Sequence, residues 1–189
     1  MASKSLLPFL ILSVLLLPIF STVSVDGSLP DDGQGGGGGG GGECAYVIYV
    51  QTGTVKKAGT HSTISLELKT GAGEGISIPN LEEWGGIMGP NYNFFETGRL
   101  DTFTGRGPCL TYPDPICSLN LTSDASGPYH DWYCDYVEVT VSAPAHPCTK
   151  QRFSVDRWLA RDREPFTLTA IVDYCPSANA NANRSLRFD

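Results

Sequence analysis

The sequence predicts an all-β fold, an antiparallel sandwich of eight short strands. The 189-residue chain contains 22 glycines and 13 prolines, and only 17% of its residues are charged. This composition suits short strands joined by turns better than a helical bundle. Apolar and polar residues also alternate with the period of half-buried strands in several short segments separated by turn residues.

The alternation indicates eight strands in order along the chain. The clearest is Ile64–Leu68, where three aliphatic residues alternate with Ser65 and Glu67. The other seven segments are 46–51, 76–78, 94–103 with a bend at Gly98, 116–121, 132–141, 153–158 and 166–172. Trp132, at the start of the sixth segment, is predicted to be a core residue. A single turn at Asp156–Arg161 is the one helical signal.

Shifts in composition divide the chain into four parts. Residues 1–24 contain Lys4, an apolar run and small residues at their end, which predicts a secretory signal peptide instead of a membrane anchor. Residues 25–42, which include eight consecutive glycines, are expected to form a flexible linker. Residues 177–189 are expected to form a disordered polar tail. The folded unit therefore spans 43–176, and the mature chain is expected to have no transmembrane helix.

The net charge and the absence of catalytic motifs limit the function. The chain carries 13 Lys and Arg against 20 Asp and Glu, a formal charge of −7, which argues against nucleic acid as a partner. The sequence contains no GxSxG, HExxH, P-loop or EF-hand motif. The histidines lie in predicted surface loops: His61, His130 and His146. We therefore expect no enzymatic activity and no catalytic residue.

All six cysteines lie in the predicted folded unit. An even number in an exported chain predicts disulfides instead of a thiol nucleophile or a metal site. We expect three intramolecular pairs, Cys109–Cys117, Cys44–Cys175 and Cys134–Cys148. The pair Cys109–Cys117 flanks a Pro-rich turn. Cys44 opens the first strand and Cys175 closes the last one, and the pair Cys134–Cys148 remains by elimination. Spacing alone does not decide among the other possible pairings.

Two acceptor sequons predict N-linked glycans, Asn120-Leu-Thr and Asn183-Arg-Ser. Strand alternation places Asn120 on the face opposite Leu119 and Leu121, where a bulky glycan fits. Asn183 lies in the predicted tail. We predict glycosylation at both positions.

The order of these residues resembles a known family. The opening is Tyr46-x-Ile48-x-Val50-x-Thr52-Gly53 followed by Ala58-Gly59-Thr60. Phe95-x-x-Gly98-x-x-Asp101-x-Phe103, Trp132, Phe153 and Trp158-Leu159 follow in order. This succession resembles the PLAT domain of lipoxygenases and pancreatic lipases. The segments 84–90 and 120–124 are similar to the stand-alone, stress-associated PLAT proteins of plants.

The resemblance implies a fold and a general role. The fold is two packed four-stranded sheets, and the role is to bring proteins to membranes or lipid-bearing partners, sometimes with calcium in loops at one end. The corresponding loops are Lys56–Ser62, Gly71–Gly75 and Asn80–Asn91. In calcium-binding members Asp or Asn follows Ala-Gly-Thr, whereas this chain has His61, a poor ligand for a cation that prefers oxygen.

Calcium is therefore a candidate cofactor, and the sequence establishes no cofactor. Carboxylates that would supply oxygen ligands are Glu74, Glu82 and Glu83. The same glutamates are equally consistent with solvated loop residues. Asp101, which the family pattern also carries, is interpreted as a structural acceptor of backbone N–H groups.

The segment Leu81–Phe95 is predicted to be a connecting loop that carries the function. Five apolar side chains lie there among Gly and Pro: Trp84, Ile87, Met88, Tyr92 and Phe94. If exposed, they would insert at a lipid interface, and Lys56 and Lys57 on a neighbouring loop would contact anionic headgroups. If folded back, Trp84 and Met88 would cap the core instead. Both alternatives are open from the sequence.

We interpret the chain as a non-enzymatic, exported PLAT protein of the apoplast or the endoplasmic reticulum. Its partner would be a lipid surface or a lipid-associated protein, in a plant stress response. One alternative is an apoplastic carbohydrate- or protein-binding module, which a groove of aromatic residues on a sheet face would favour. Another is an accessory subunit of a lipid-acting enzyme.

Overall fold

The computed structural model describes residues 43–89, 91–110, 114–142 and 147–176. The predicted signal peptide, Gly-rich linker and C-terminal tail, the last with Asn183, lie outside these ranges, as do Pro90 and His146. The described residues form eight strands and one short helix. In order these are β1 Glu43–Thr52, β2 Ile64–Thr70, β3 Gly75–Ile78, α1 Leu81–Gly85, β4 Leu100–Pro108, β5 Ile116–Ser123, β6 Trp132–Ser142, β7 Thr149–Leu159 and β8 Thr169–Asp173.

The strands form two four-stranded antiparallel sheets. The first sheet has the order β4-β1-β6-β7 and the second the order β3-β2-β5-β8. The prediction of an eight-stranded antiparallel sandwich with two four-stranded sheets is confirmed.

The core follows directly from the alternation in the sequence. On β2, Ile64, Leu66 and Leu68 are at most 1% exposed, and the two residues between them are half-buried. Trp132 is fully buried, which confirms its prediction as a core residue, and its indole N–H donates to Thr52 Oγ1 at 3.0 Å. The buried indole therefore has a hydrogen-bond partner, as buried polar groups require.

Two of the differences from the predicted elements arise because the backbone bends. β4 begins at Leu100, after Phe95 with φ 55° and Gly98 with φ 76° have broken the extended conformation. The predicted helical turn at Asp156–Arg161 is wrong, because β7 continues to Leu159. Asp156 has φ 45° within an irregularity of the β6–β7 register, so the break in alternation is a β-bulge.

The disulfides join strands that are neighbours in a sheet. Cys44 on β1 pairs with Cys109, which follows the adjacent strand β4. Cys117 on β5 pairs with Cys175, which follows the adjacent strand β8. The predicted pairs Cys109–Cys117 and Cys44–Cys175 are therefore wrong. The second of these assumed that the first and last strands are neighbours, whereas β1 and β8 lie in different sheets.

The predicted Cys134–Cys148 pair is also wrong, and the structure has two disulfides instead of three. Cys134 and Cys148 are free thiols, the first buried and the second exposed. Cys134 lies at the start of β6, whereas Cys148 precedes Thr149, the partner of Val141 near the end of β6. Seven residues of strand separate these points by about 20 Å, far more than the roughly 7 Å that a disulfide tolerates between Cα atoms.

Four connections meet at one end of the sandwich, which we call the loop end. They are residues 53–63 between β1 and β2, 79–99 between β3 and β4, 124–131 between β5 and β6, and 160–168 between β7 and β8. Within the described ranges, no helix has the length and apolar character needed to cross a membrane. Two disulfides are typical of proteins that fold in an oxidising compartment.

Candidate functional site

The segment predicted as a loop begins with the short helix α1. Asn80 caps this helix, and its side-chain oxygen accepts hydrogen bonds from the backbone N–H groups of Glu82 and Glu83. Leu81 is fully buried. The helix is thereby fixed against the sandwich, because the cap satisfies its first N–H groups and the leucine anchors it in the core.

Trp84 lies against the sandwich instead of projecting into solvent. It is half-buried and packs against the core. Its indole covers Gly105 on β4, where a Cβ atom would overlap the ring carbons. Directly after α1, Gly86 forms an isolated bridge with Phe103. For Trp84, the structure supports the alternative in which the side chain caps the core.

Phe94 and Tyr92 are also tied to β4. Phe94 is 9% exposed and stacks on Phe103 with a centroid distance of 5.3 Å. Tyr92 is half-buried, and its hydroxyl donates to Asp101 Oδ1 at 3.0 Å. Asp101 Oδ2 accepts the backbone N–H of Phe95 at 2.7 Å. Asp101 thus has the structural role that the sequence indicated.

Ile87 and Met88 are the exposed residues of the predicted set. Their exposed fractions are 56% and 43%. The segment therefore divides into three aromatic side chains that anchor it and two aliphatic side chains that face solvent. Sequence reasoning identified all five but did not separate the two groups.

A second exposed apolar feature surrounds the predicted lysines. Lys56 and Lys57 are exposed, and they follow Val55, which is 43% exposed. Leu100, which is 45% exposed, lies beside the start of this loop. Thr52 N–H donates to the carbonyl of Arg99 at 2.9 Å, which brings the two segments together. We call Val55, Lys56, Lys57, Arg99 and Leu100 the tip.

Sequence reasoning missed the contribution of Val55 and Leu100 to the tip. Val55 follows Thr54 in a polar turn and Leu100 begins an alternating strand, so neither stands out in the sequence. The available signal is their neighbours in the sequence. Val55 precedes a lysine pair near the start of one connection, and Leu100 follows an arginine at the end of another.

The glutamates considered for calcium do not form a metal site. Glu74 lies in the turn between β2 and β3, at the end of the sandwich opposite the loop end, whereas Glu82 and Glu83 lie in the first turn of α1. Among the residues that the structure describes, no three His, Cys, Asp or Glu side chains converge on a common point suitable for a metal ion. The three predicted glutamates therefore do not assemble one calcium site.

Burial and nearby charge perturb the acidic groups beside α1. Burial raises the pKa of Asp101 above the ordinary carboxyl value, and its hydrogen bonds from Phe95 and Tyr92 act in the opposite direction. Burial and the charge of Asp101 raise the pKa of Glu82, while His61 lowers it. The pKa of Glu82 on α1 therefore responds to charges on two other segments, Asp101 on β4 and His61 on the connection between β1 and β2.

Asn120 faces outward from the second sheet, as the alternation predicted. Its neighbours Leu119 and Leu121 are fully buried on the inner face. Asn120 itself is half-buried, and its Nδ2 lies 3.4 Å from Glu67 Oε2. Glycosylation of this side chain stays a prediction.

These observations define a class of protein, a β-sandwich domain whose loops display apolar and cationic residues around a rigid base. The PLAT/LH2 domain family matches residues 46–172. The chain belongs to this family, as the resemblance indicated.

Curated relatives support the assignment over most of the chain. PLAT domain-containing protein 1 of Arabidopsis thaliana is 46% identical over 171 residues, which cover 90% of this chain and 84% of the relative. PLAT domain-containing protein 2 of the same plant is 45% identical over 166 residues, covering 88% and 85%. Both relatives are named for the domain and not for an enzymatic activity.

Solved structures show the same fold in lipoxygenases. The coral 8R-lipoxygenase structure, described as calcium-activated through a C2-like domain, matches with a TM-score of 0.50 and 18% identity, over 75% of this chain and 20% of that one. A lipoxygenase with the deletion 413–417:GS matches with a TM-score of 0.51 and 18% identity, over 76% and 20%. This chain spans about a fifth of those proteins, so the likeness shows the fold alone.

Proposed function

We propose that the chain is a non-enzymatic, exported protein that attaches to a lipid surface through Ile87, Met88 and the tip. The observation that carries the proposal is the consecutive exposure of Ile87 and Met88, at 56% and 43%, on a segment whose neighbouring aromatic residues are anchored in the sandwich. Exposed apolar residues on a fixed base lose little conformational entropy when they are buried by a partner.

The binding free energy that Ile87 and Met88 would contribute on burial favours a lipid surface. Burying roughly 150 Å² of these two side chains would contribute about 4 kcal/mol at about 25 cal/mol per Å². Lys56 and Lys57 would each add about 1 kcal/mol near an anionic bilayer. The apolar contribution is therefore the larger one, which suits a chain with a net charge of −7.

The two exposed features lie near each other along β4. Gly86, directly before Ile87, pairs with Phe103, and Phe103 is three residues from Leu100 in the tip. Three residues of strand span about 10 Å. One bilayer surface would thus contact both features, with the cations of the tip at the level of the headgroups.

The family assignment supports a biological setting for this attachment. We place the protein in the secretory pathway or the apoplast and in a plant stress response. A lipid-associated protein at the same surface, or regulation of a separate lipid-acting enzyme, would use the same exposed residues. The coral lipoxygenase with a C2-like domain supports a lipid setting by analogy of fold.

Vesicle flotation tests the proposal. The full chain, expressed through the secretory pathway and oxidised, is floated with phosphatidylcholine vesicles that contain or lack phosphatidylserine. We expect the double variant Ile87→Ser, Met88→Ser to reduce the bound fraction at least about tenfold without lowering the melting temperature. Lys56→Gln with Lys57→Gln should reduce binding only to the vesicles that contain phosphatidylserine.

The matched control is Ile171→Ser, because Ile171 is 63% exposed on β8 of the other sheet. It should bind vesicles as the wild type does. Equal flotation of the double variant and the wild type, or no flotation of the wild type, would overturn the proposal. Chelator should leave binding unchanged, since the predicted glutamates Glu74, Glu82 and Glu83 do not converge on one point.

A further inference from the structure

A cleft of about 580 Å³ opens among the four connections at the loop end. Each connection contributes to its walls, and the residues that matter here are His61, Glu96, Tyr129, Asp131, Asp162 and Arg163. The volume lies within the range of pockets that hold small ligands. Ile87, Met88, Val55 and Leu100 do not line the cleft, so it is separate from the apolar residues of the proposed lipid surface.

Polar contacts between side chains join the connections around the cleft. His61 Nε2 lies 3.5 Å from Glu96 Oε1. Arg163 donates from Nε to Asp131 Oδ2 at 3.2 Å. The other oxygen, Asp131 Oδ1, lies 3.5 Å from His130 Nε2 and accepts no hydrogen bond. These contacts hold the walls in place, and Asp131 Oδ1 is a buried acceptor at their edge.

An exposed aromatic ring stands at the mouth of the cleft. Tyr129 is 71% exposed, and its ring meets the edge of His61 at a centroid distance of 5.8 Å. Tyr129 has φ 61°, and Lys57, also in the wall, has φ 65°. The left-handed conformation costs a non-glycine residue about 1 kcal/mol or more and is concentrated at functional sites.

The lining determines the kind of ligand that fits. Carboxylates of Glu96, Asp131 and Asp162 line the cleft together with the donors of Lys57, Arg163 and two imidazoles. Hydroxyl groups match such a lining, because each one both donates and accepts. An acyl chain would meet mostly polar atoms, and an anion would meet three carboxylates against two permanent cations, Lys57 and Arg163. A metal ion lacks the required three converging ligands among the residues that the structure describes.

We propose that this cleft binds a neutral oligosaccharide. The apolar face of one sugar ring packs on the ring of Tyr129. A tyrosine suits this contact because its ring is apolar while its hydroxyl remains in water. The hydroxyls of that sugar bind the carboxylates and the guanidinium of the walls. This is a second binding site with a different ligand from the proposed lipid surface, and it shares only Lys57 with the tip.

Titration calorimetry with the full oxidised chain tests the assignment, with cellohexaose, xylohexaose and mannohexaose as neutral probes and tetragalacturonate as the anionic one. We expect at least one neutral probe to bind with a dissociation constant below about 10 mM. Tyr129→Ala and Asp162→Asn should each weaken binding at least about tenfold. Tyr129→Phe, which retains the ring, should bind as the wild type does.

The variants also separate this site from the lipid surface. Ile171→Ser, and Ile87→Ser with Met88→Ser, should leave saccharide binding unchanged, while Tyr129→Ala should leave vesicle flotation unchanged. Failure of all three neutral probes, tighter binding of tetragalacturonate than of any of them, or full binding by Tyr129→Ala would overturn the inference. None of these outcomes affects the flotation result, so the two proposals fail independently.

Discussion

Tyr92 donates a hydrogen bond of 3.0 Å to Oδ1 of Asp101, and this contact ties the segment after α1 to the beginning of β4. The second carboxylate oxygen of Asp101 accepts the backbone N–H of Phe95 at 2.7 Å. Asp101 is fully buried. The chain between Ile87 and Leu100 is thus held at its base by a buried polar network, while Ile87 and Met88 are exposed.

The buried carboxyl makes stability depend on pH. Burial raises the pKa of Asp101 above 3.8, its ordinary value, so the folded state holds the proton more tightly than the unfolded state. Its contribution to stability is complete below about pH 4 and is lost as the pH rises through the folded pKa. Relative to Asp101→Asn, the free energy of unfolding of the wild type should therefore fall as the pH rises above about 4.

Urea denaturation at a series of pH values measures this difference. The pKa of Glu82 is also raised, so it too makes the free energy of unfolding fall as the pH rises. The Asp101→Asn variant should therefore retain a smaller dependence of this free energy on pH. A difference that stays constant with pH, or that grows in favour of the wild type, would contradict the assignment of Asp101.

The contact between Trp84 and Gly105 predicts strong coupling between these positions. Gly105→Ala would place a Cβ atom against the indole of Trp84, and such overpacking costs about 1–3 kcal/mol of unfolding free energy. In a Trp84→Ala background, Gly105→Ala should leave the free energy of unfolding almost unchanged. A double-mutant cycle by urea denaturation measures the coupling, and additive effects would show that Trp84 does not lie on β4.

The strands and their inner faces followed from the sequence because burial on one face of a strand imposes alternation, as at Ile64, Leu66 and Leu68. Asp101 was also identified, since a carboxylate between apolar residues needs fixed partners. Helix α1 was missed because five residues are too few to show a helical period. Its signals are the Asn80 cap and the two acidic residues that follow.

The alternation of apolar and polar residues does not predict which cysteines form disulfides. Cys44 and Cys109 are 65 residues apart in sequence and meet because β1 and β4 are neighbours in one sheet. Strand order is a property of the whole fold, so local spacing favoured the wrong pairs. For the same reason the sequence could not show that the loop end gathers residues from four separate connections.

Thiol mapping tests the corrected disulfides. In the native oxidised chain, iodoacetamide should label Cys148, which is exposed. Cys134 is buried, and burial raises the pKa of its thiol well above the ordinary value, so it should react only after unfolding. Peptide mapping without reduction should find Cys44–Cys109 and Cys117–Cys175. A Cys109–Cys117 peptide, or protection of Cys148, would contradict this account.

We predict that Asn120 carries a glycan in the native host. Its side chain faces outward from β5, opposite the buried Leu119 and Leu121. Endoglycosidase treatment of native material should lower the mass of the peptide that contains Asn120. Thr122→Ala, which removes the sequon, should abolish this change. An unchanged mass in the wild type would refute the prediction.

The central claim is that Ile87 and Met88 enter a lipid surface, and depth-dependent fluorescence quenching tests it most directly. Ile87→Trp adds an indole at the exposed position, with Ile171→Trp as the matched control on β8. Binding to vesicles that contain brominated lipids should shift the emission of the first variant to the blue and quench it, relative to the three native tryptophans. The control should show neither change. Equal emission from both variants, without quenching at position 87, would contradict the proposed function.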